Sequence, residues 1–381
     1  MTILYRAILA FTAVSVAIAA EKWSYSGEDG PANWANTFPN CGGDNQSPIN
    51  IDPSSAEKGN LGTFTFVGFG DVADKSMVVT NNGHSLQIDL TGDYSVSGGG
   101  LGGTYKTAQF HFHWGSRDAV GSEHTLNNVQ YPVEMHIVHY NSIYSSTTDA
   151  VQQGGSTGLA VLGFFFQVSD EDNANFETLL SSLTNVQEEG DTYNIPPNDV
   201  FTLESLLPDN LVEFYRYNGS LTTPGCNEAV IWTMFKELIY LSSTQIQMLR
   251  TLRSGNKIIQ DNFRPLQALN GRIVTYSRDP CNPDPCQSSP CKEKETCLIE
   301  AQCRSYFCCV TYDPCEDQNV CMNGGTCSVG PRETCLLYEC TCPPCYSGTN
   351  CENYTNPCES SPCQNGGLCL IGSDCQYFCI I

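Results

Sequence analysis

Basic residues are scarce in this chain of 381 residues. It contains 18 lysines and arginines against 41 aspartates and glutamates, which gives a formal net charge of −23 and an isoelectric point near 4.4. This balance excludes the usual kind of nucleic-acid-binding protein, because phosphate backbones require a basic surface. The excess negative charge is spread along the chain, where it favours solubility and association with cations.

Long hydrophobic runs are also missing. Only residues 7–19 form an extended apolar stretch, and this is shorter than the roughly 18 residues that a membrane-spanning helix requires. Arg6 precedes the stretch and Ala17-Ile18-Ala19-Ala20 ends it, so residues 1–20 have the pattern of a secretory signal peptide. An N-terminal membrane anchor is the alternative. We therefore expect a secreted, extracellular protein with no transmembrane span after signal cleavage.

Cysteine is nearly absent from the first 280 residues, where only Cys41 and Cys226 occur, yet 20 cysteines lie between Cys281 and Cys379. Such density in a secreted segment predicts a disulfide scaffold. Packed zinc knuckles are the alternative, but the segment has no histidine and an extracellular compartment is oxidising. The change in composition predicts a signal peptide, a globular domain and a cysteine-rich tail, at residues 1–20, 21–278 and 279–381.

The cysteine-rich tail contains an internal repeat. Cys286-Gln-Ser-Ser-Pro-Cys291 is echoed by Cys358-Glu-Ser-Ser-Pro-Cys363, and further cysteines follow each copy at the same spacing. Six cysteines between these copies form a third one, at Cys315, Cys321, Cys327, Cys340, Cys342 and Cys351. The six-cysteine spacing resembles the epidermal-growth-factor-like (EGF-like) module.

The pairing of the tail cysteines stays open at this point. Cys335 and Cys345 are extra to the EGF-like pattern. The last copy stops at Cys379, before its expected final two cysteines. Either this copy is degenerate or the sequence is a fragment.

Short β-rich runs dominate the region before the tail, and Gly, Asn, Asp and Pro separate them. They cover residues 63–68, 76–80, 85–90, 107–114, 132–140, 158–168, 211–217 and 229–240. Residues 173–182 and 243–252 are predicted helices, the second with Ser243 as its N-cap and Gly255 beyond its end. Because long crossover helices are missing, we expect a large antiparallel or mixed sheet around one core.

Histidine is rare, and all six copies lie between positions 84 and 139. Residues 109–115 read Gln-Phe-His-Phe-His-Trp-Gly. With a period of two, Gln109, His111 and His113 share one face of a strand, and the aromatic residues lie on the face that a sheet buries. The two histidines stand about 7 Å apart at the backbone, so their rings can converge on one metal ion.

A catalytic zinc site needs three protein ligands and one open position, and a neighbouring strand about 4.8 Å away should supply the third. The motif Glu134-Met-His-Ile-Val-His139 alternates so that Glu134 and His136 share one face. His136 is therefore the predicted third ligand. Gln109 and Glu134 are predicted to accept hydrogen bonds from the ligand imidazoles, whereas His124 and His139 are interpreted as structural histidines.

A set of motifs is distributed across residues 22–278. The motifs are Trp23-Ser-Tyr25, Gln46-Ser-Pro-Ile49, Asn81-Asn-Gly-His84, residues 109–115, Gly121-Ser-Glu-His124, Glu134–His139, Gly219-Ser-Leu-Thr-Thr-Pro224 and Asn262-Phe-Arg-Pro265. Together and in this order, they resemble the α-class carbonic anhydrases. The resemblance implies a mainly β (α+β) fold with a central twisted, mostly antiparallel sheet of about ten strands. It also implies a zinc lyase that reversibly hydrates carbon dioxide to bicarbonate and a proton.

The resemblance assigns roles to individual residues. It implies His111, His113 and His136 as zinc ligands. It implies that Thr222 orients a zinc-bound hydroxide and gives its own hydrogen bond to Glu123. A threonine in a loop would otherwise be an ordinary turn residue.

The substrate and the product proton also have implied binding residues. The resemblance implies a substrate site formed by Val138, Val161, Leu221, Thr222, Thr223 and Trp232, whose apolar members would otherwise be ordinary core. It implies His84 as a proton shuttle, since an imidazole with a pKa of about 6.5 can exchange protons near neutral pH. The implied water network follows Tyr25, Asn82 and Gln87. A plain surface histidine is the alternative for His84.

The resemblance further implies a disulfide between Cys41 and Cys226 that holds the loop after Thr222. Sequons predict N-glycosylation at Asn218 and Asn353.

The family does not normally carry a cysteine-rich tail. We therefore expect the tail to bind an extracellular matrix or cell-surface protein, and a role in carbonate mineral deposition is one hypothesis. The alternative function is a matrix or adhesion protein that uses the anhydrase fold only as a scaffold.

Overall fold

The computed structural model describes residues 22–278, 295–299, 306–310, 315, 320–329 and 338–380. The chain divides into two compact units, Met1–Asp279 and Pro280–Ile381. Among the described residues, no helix is long and apolar enough to cross a membrane. The predicted signal peptide, the motif Cys286-Gln-Ser-Ser-Pro-Cys291 and the extra Cys335 lie outside the described residues.

Strands make up most of the first unit. They are β1 (Asn50–Ile51), β2 (Glu57–Gly59), β3 (Phe64–Val67), β4 (Ser76–Asn81), β5 (Leu86–Thr91), β6 (Ser95–Gly98), β7 (Tyr105–Trp114), β8 (Thr125–Leu126), β9 (Val133–Asn141), β10 (Leu159–Ser169), β11 (Thr192–Asn194), β12 (Phe214–Gly219), β13 (Val230–Phe235), β14 (Ile239–Ser242), β15 (Arg253–Ser254), β16 (Lys257–Ile258) and β17 (Thr275–Ser277). The α-helices are short, at α1 (Trp34–Thr37), α2 (Thr147–Gln153), α3 (Glu177–Ser182) and α4 (Ser243–Leu249). Single 3-10 turns occur at Gly27–Asp29, Pro39–Gly42, Gly155–Thr157, Ala174–Phe176, Leu183–Asn185 and Leu203–Leu206.

One twisted sheet organises this unit, and within residues 22–278 it contains 13 strands. Its main path has the order β11-β4-β5-β7-β9-β10-β13-β12-β17-β2, and β3, β6 and β14 pair beside that path. Most neighbours are antiparallel, but β10 runs parallel to β13 and β14, and β17 runs parallel to β2. The predicted mainly β fold, with about ten strands in its central sheet, is confirmed.

The core lies on both faces of the central strands. On β7, the aromatic side chains Phe110, Phe112 and Trp114 are at most 2% exposed and join one large cluster with Met135 and Ile137 of β9. A second cluster on the other side contains Val138, Val161 and Trp232. Because β9 is covered on both faces, most of its residues are buried. The burial anchors the two strands that carry the histidines.

Among the predicted elements that differ from the structure in detail are one long strand and one helix N-terminus. The predicted strand 229–240 is two strands, β13 and β14, which pair with successive parts of β10. The break falls at Lys236, whose backbone N–H and side chain both turn to Glu213. Ser243 as N-cap of α4 was wrong, because Ser242 forms the capping box with Gln245 and Ser243 is exposed.

The second unit is built from short hairpins and disulfides. Its strands are β18 (Glu295–Ile299), β19 (Tyr306–Val310), β20 (Thr326–Val329), β21 (Tyr338–Thr341), β22 (Tyr346–Ser347), β23 (Asn353–Tyr354), β24 (Leu368–Ile371) and β25 (Tyr377–Ile380), which pair consecutively as four antiparallel hairpins. The described disulfides are Cys315–Cys327, Cys321–Cys340, Cys342–Cys351, Cys345–Cys375, Cys358–Cys369 and Cys363–Cys379. A disulfide scaffold is thus confirmed for this part of the tail.

Candidate metal centre

Two adjacent strands bring three histidines together. In the antiparallel register of β7 and β9, His111 lies directly opposite His136, and His113 lies opposite Glu134. One ring nitrogen from each of His111, His113 and His136 lies within 4.8 Å of the others. The arrangement arises because residues at i and i+2 of a strand share a face, and a neighbouring strand adds a third residue to that face.

The remaining ring nitrogens are all occupied by hydrogen-bond acceptors. His111 Nδ1–H donates to Gln109 Oε1 (2.9 Å), and His113 Nδ1–H donates to the backbone oxygen of Asn262 (2.7 Å). His136 Nε2–H donates to Glu134 Oε1 (2.5 Å). Such acceptors fix the tautomer and orientation of a metal-binding imidazole.

The free nitrogens then face one another with their lone pairs. His113 Nε2 lies 3.2 Å from His136 Nδ1, and the acceptors described above already hold the other N–H group of each ring. Two lone pairs at this distance repel unless a cation or a proton lies between them. Three neutral imidazoles are a donor set that Zn²⁺ favours, so the residues present fit a zinc ion.

Burial favours the neutral form of two of these imidazoles, His111 and His136. Burial lowers the pKa of His111 well below its ordinary value, and its neighbours His113 and His136 act in the same direction. Burial also lowers the pKa of His136, against the opposing effect of the Glu134 carboxylate. Neutral rings keep the lone pairs that bind a metal.

Glu134 is the hub of a buried network behind the histidines. Its carboxylate accepts from His136, from His124 Nδ1–H (2.7 Å) and from the His124 backbone N–H (2.8 Å). Tyr217 then donates its hydroxyl to His124 Nε2 (2.6 Å). Burial acts to raise the pKa of Glu134, but His124 and His136 outweigh it and leave that pKa well below its ordinary value. The hub is therefore an anion, and His124 is buried in the network.

Comparison with known proteins identifies the family. The family model described as eukaryotic-type carbonic anhydrase matches residues 29–278. Carbonic anhydrase 15 of Mus musculus is 36% identical over 290 residues, which cover 71% of this chain and 88% of that protein. The chain belongs to this family. Carbonic anhydrase 12 of Homo sapiens is 36% identical over 268 residues (68% of this chain, 73% of that protein), and carbonic anhydrase 3 of Bos taurus is 36% identical over 267 residues (68% and 99%).

Carbonic anhydrases are zinc lyases that hydrate carbon dioxide, and the predicted enzyme class and cofactor are therefore confirmed. The individual residue roles depend on the surrounding geometry.

One contact expected of a carbonic anhydrase is absent here. Glu123 Oε1 accepts from the backbone N–H of Arg264 (2.9 Å), whereas Glu123 Oε2 has no hydrogen-bond partner within residues 22–278. The expected hydrogen bond from Thr222 to this Glu123 oxygen is therefore not formed, and Oε2 lies 3.5 Å from His113 Nε2. Glu123 and Thr222 are both buried. The buried oxygen has unused capacity to accept a hydrogen bond.

A disulfide fixes the loop that carries Thr222. Cys41 and Cys226 are bonded, with their Cα atoms 4.9 Å apart. The Cys226 N–H donates to the Thr223 carbonyl (2.9 Å), which closes a tight turn. Trp232 also holds the start of the loop, since its indole N–H donates to the Ser220 carbonyl (3.0 Å). The loop is thus held at both of its ends.

The predicted substrate wall is one packed surface of this carbonic anhydrase. Val138, Val161 and Trp232 are at most 7% exposed and share a cluster, and Leu221 packs against it. A cleft of about 560 Å³ opens beside this surface, and Gln109, Val138 and Leu221 are among its lining residues. The apolar wall therefore meets the polar histidine cluster at Gln109, the partner of His111.

His84 lies at the edge of the site among aromatic side chains. Its ring stacks on Trp23 with 3.7 Å between ring centroids and 13° between planes, and Tyr25 lies edge-on at 6.5 Å. The Asn82 amide oxygen accepts from the His84 backbone N–H (3.0 Å), and the Asn82 NH₂ donates to Gln87 Oε1 (3.3 Å). The structure thus brings together all four residues named for proton export.

Sequence reasoning missed three residues that position the site. Asn262 accepts from His113 through its carbonyl and from the Trp114 N–H through its side chain (2.7 Å). Arg264 donates to the carbonyls of Ser47 and Cys41 (2.8 and 3.0 Å). Tyr217 holds His124. Asn262 and Arg264 lie in the motif Asn262-Phe-Arg-Pro265, which was the available signal, whereas Tyr217 had no local signal beyond its position on a strand.

The predicted glycosylation sites are exposed. Asn218 lies on β12 and Asn353 lies on β23, and both are exposed. Ser220, which completes the first sequon, is buried and donates to its neighbour's carbonyl.

Proposed function

We propose that this carbonic anhydrase works outside the cell with zinc held by His111, His113 and His136. The observation that carries the proposal is the convergence of three imidazole lone pairs whose opposite N–H groups are all held by acceptors. These three ligands would leave one position on a bound zinc ion for a reactant, as a catalytic zinc site requires.

The chemistry needs a nucleophile at neutral pH. When bound, zinc supplies it by lowering the pKa of a water molecule to about 7. We propose that the Thr222 hydroxyl accepts a hydrogen bond from the nucleophile and donates its own proton to Glu123. The unpaired Oε2 of Glu123 supports this role, because it is a buried acceptor without a donor.

Carbon dioxide is small and apolar, so its site should be a hydrophobic surface beside the metal. We propose that Val138, Val161, Leu221 and Trp232 form this surface and that Thr223 contacts bicarbonate at its edge. The packing of the four apolar side chains in one cluster supports the proposal.

Each turnover also releases a proton. We propose that His84 carries it to solvent, through water held by Tyr25, Asn82 and Gln87. The half-buried position of His84 at the rim supports this role. An imidazole whose pKa lies near the operating pH transfers protons well.

The domain arrangement and location belong to the same proposal. Residues 1–20 would direct secretion, residues 21–278 would form the enzyme, and residues 279–381 would form EGF-like repeats that tether it to an extracellular matrix or cell-surface protein. In the middle repeat, cysteines pair first with third, second with fourth and fifth with sixth, as Cys315–Cys327, Cys321–Cys340 and Cys342–Cys351. Six disulfides in the described tail support an oxidising compartment.

Stopped-flow hydration of carbon dioxide with zinc quantification tests the catalytic proposal. His111→Ala should lose zinc and activity, whereas substitution of the exposed Asp199 with Ala should change neither. Full activity in His111→Ala would overturn the zinc assignment.

The pH profile tests the nucleophile. Hydration by the unsubstituted enzyme should fall as the pH drops through about 7, where the nucleophile is protonated. A flat profile from about pH 5 to 9 would overturn this assignment.

Localisation tests the tail. The full chain and a form that ends at Arg278 should both appear in the culture medium, but only the full chain should bind extracellular matrix. Equal matrix retention of the two forms would contradict tethering through the tail.

A further inference from the structure

We propose that Glu189 is a positioning residue for proton transfer, because it holds a negative charge beside His84 and keeps that imidazole able to accept a proton. The inference rests on the proposed shuttle role of His84. It adds a residue that lies 105 positions further along the chain.

Gly83 permits the close approach of Glu189. This glycine has φ +83°, a left-handed conformation that favours glycine. A Cβ built on Gly83 would lie 2.7 to 2.9 Å from the side-chain carboxyl and Cγ of Glu189. The Glu189 carboxyl therefore packs against the backbone of the residue immediately before His84, in space that another side chain would fill.

The segment that carries Glu189 is fixed in place. The Gly190 N–H donates to the Asn81 carbonyl (2.8 Å), and the Asn81 side chain donates to the Gln187 carbonyl (3.2 Å). Ser254 donates its hydroxyl to Glu189 Oε2 (2.6 Å). Backbone and side chain are thus both held, so the carboxylate is a fixed charge.

Within residues 22–278, the groups that pack on the other sides of His84 do not supply a competing charge. The N-terminal segment contributes the rings of Trp23 and Tyr25. From the hairpin β15–β16, Arg253 pairs with Glu188 at 3.9 Å. Glu189 is therefore the acidic group that acts on the imidazole.

The charge has a definite electrostatic effect. Burial lowers the pKa of His84 from its ordinary value, and Glu189 acts to raise it. Without the carboxylate, the half-buried ring would lose part of its proton affinity, and the pKa of the shuttle would fall further below neutral pH. Transfer at neutral pH would then slow, because efficient proton transfer requires matched pKa values.

Glu188 offers a matched control for a test of Glu189. Glu189→Gln removes the charge but keeps an oxygen that can accept from Ser254, and Glu188→Gln removes an equal charge from the adjacent residue. The His84 ring is observed by NMR titration of the full chain with ¹³C at the histidine Cε1 position, and His84→Ala identifies its signal.

In Glu189→Gln, the His84 titration midpoint should fall by about half a pH unit or more, because the neutral amide no longer favours the protonated ring. Glu188→Gln should shift it by less than half as much. Equal midpoints in the unsubstituted protein and Glu189→Gln would overturn the proposal, and so would equal shifts in the two variants.

Kinetics separates this inference from the shuttle itself. In weak buffer near pH 7, Glu189→Gln should lower kcat about threefold, because a fall of half a unit in the pKa of His84 changes its proton affinity by about that factor. The loss should appear in kcat rather than in kcat/KM. Added imidazole should restore the rate. If His84→Ala keeps full kcat in weak buffer, the shuttle role fails. If His84→Ala is slow but Glu189→Gln matches Glu188→Gln, only the role of Glu189 fails.

Discussion

At the scale of single residues, Glu134 shows how one carboxylate organises a metal site. It accepts hydrogen bonds from both His124 and His136 and is fully buried. A buried anion is expensive unless it is well paired. Here its partners satisfy it, so the charge fixes the His136 ring before any metal arrives.

Replacing Glu134 with Gln should therefore weaken zinc binding. The neutral amide keeps an acceptor but loses the charge that orients and polarises His136, and loss of such a partner typically costs 10- to 100-fold in metal affinity. Chelator competition on the purified protein measures the zinc dissociation constant. Glu171→Gln, at an exposed carboxylate, is the control and should bind zinc as the unsubstituted protein does. Unchanged affinity in Glu134→Gln would count against the network.

His139 shows a buried histidine with a different role. It is fully buried on the face of β9 opposite to His136, and its Nδ1–H donates to the Ala160 carbonyl (3.1 Å). Its Nε2 has no partner within residues 22–278. Burial lowers its pKa to about 4, against the raising effect of the Ala160 and Ile137 backbone groups. The folded protein therefore resists protonation at this position.

This shift predicts a loss of stability in mild acid. The unfolded chain binds a proton at His139 below pH 6.5, whereas the folded chain does so only below about pH 4. The free energy of unfolding should thus fall as the pH drops through that window, with a contribution of about 2 kcal/mol between pH 7.5 and 5. His139→Asn, which can keep the donor to Ala160, should show that much less pH dependence in urea unfolding. Identical pH dependence in the two proteins would contradict the assignment.

At the scale of elements, capping decides where α4 begins. Ser242 Oγ accepts from the Gln245 N–H (3.1 Å), and Gln245 Oε1 accepts from the Ser242 N–H (3.2 Å). The Ser242 hydroxyl also donates to Asp172 (2.5 Å). The neighbouring Ser243 is exposed and has no part in this box. Of the two adjacent serines, Ser242 has the extended backbone of a cap and Ser243 is the first residue of the helix.

Substitution at the two serines should separate their roles. Ser242→Ala should lower the free energy of unfolding by about 1 to 2 kcal/mol, because it removes the cap and the contact with Asp172. Ser243→Ala should change it by less than about 0.5 kcal/mol. Denaturant unfolding followed by tryptophan fluorescence measures both. Equal effects of the two substitutions would restore Ser243 as the cap.

The elements also show what the sequence could predict. The pair of histidines on β7 follows from alternation alone, and His136 follows from the same rule on β9. The contacts that complete the site join distant residues, as Asn262 with Trp114 and Arg264 with Glu123, which are 148 and 141 positions apart. Local patterning contains no information on such pairs. They depend on how the chain closes around the sheet.

At the scale of the whole molecule, cysteine spacing predicted a scaffold but could not pair it. Cys345 is extra to the six-cysteine pattern, and the structure bonds it to Cys375, so one disulfide joins two successive repeats. Pairing depends on the Cα separation of folded segments, and a spacing rule within one repeat cannot supply it. In the first unit, the family resemblance implied the pairing of Cys41 with Cys226, and the structure forms that bond.

That pairing closes the longest covalent loop described in the molecule. Cys41 and Cys226 are 185 positions apart, so their bond restricts most of the first unit when it unfolds. The chain-entropy model gives about 5 kcal/mol for a loop of this size, and measured losses are typically about 2 to 5 kcal/mol. The double substitution Cys41→Ala with Cys226→Ala should therefore lower the free energy of unfolding by about 2 to 5 kcal/mol.

Tryptophan fluorescence can follow the first unit alone, because all four tryptophans lie before residue 279. The matched control removes a disulfide from the other unit, by the double substitution Cys345→Ser with Cys375→Ser. If the two units unfold separately, this control should leave the fluorescence midpoint unchanged while the Cys41 and Cys226 variant shifts it downward. Equal shifts in the two variants would mean that the units unfold together. No shift in either variant would mean that the disulfide between Cys41 and Cys226, which are 185 positions apart, contributes nothing measurable to the stability of the enzyme.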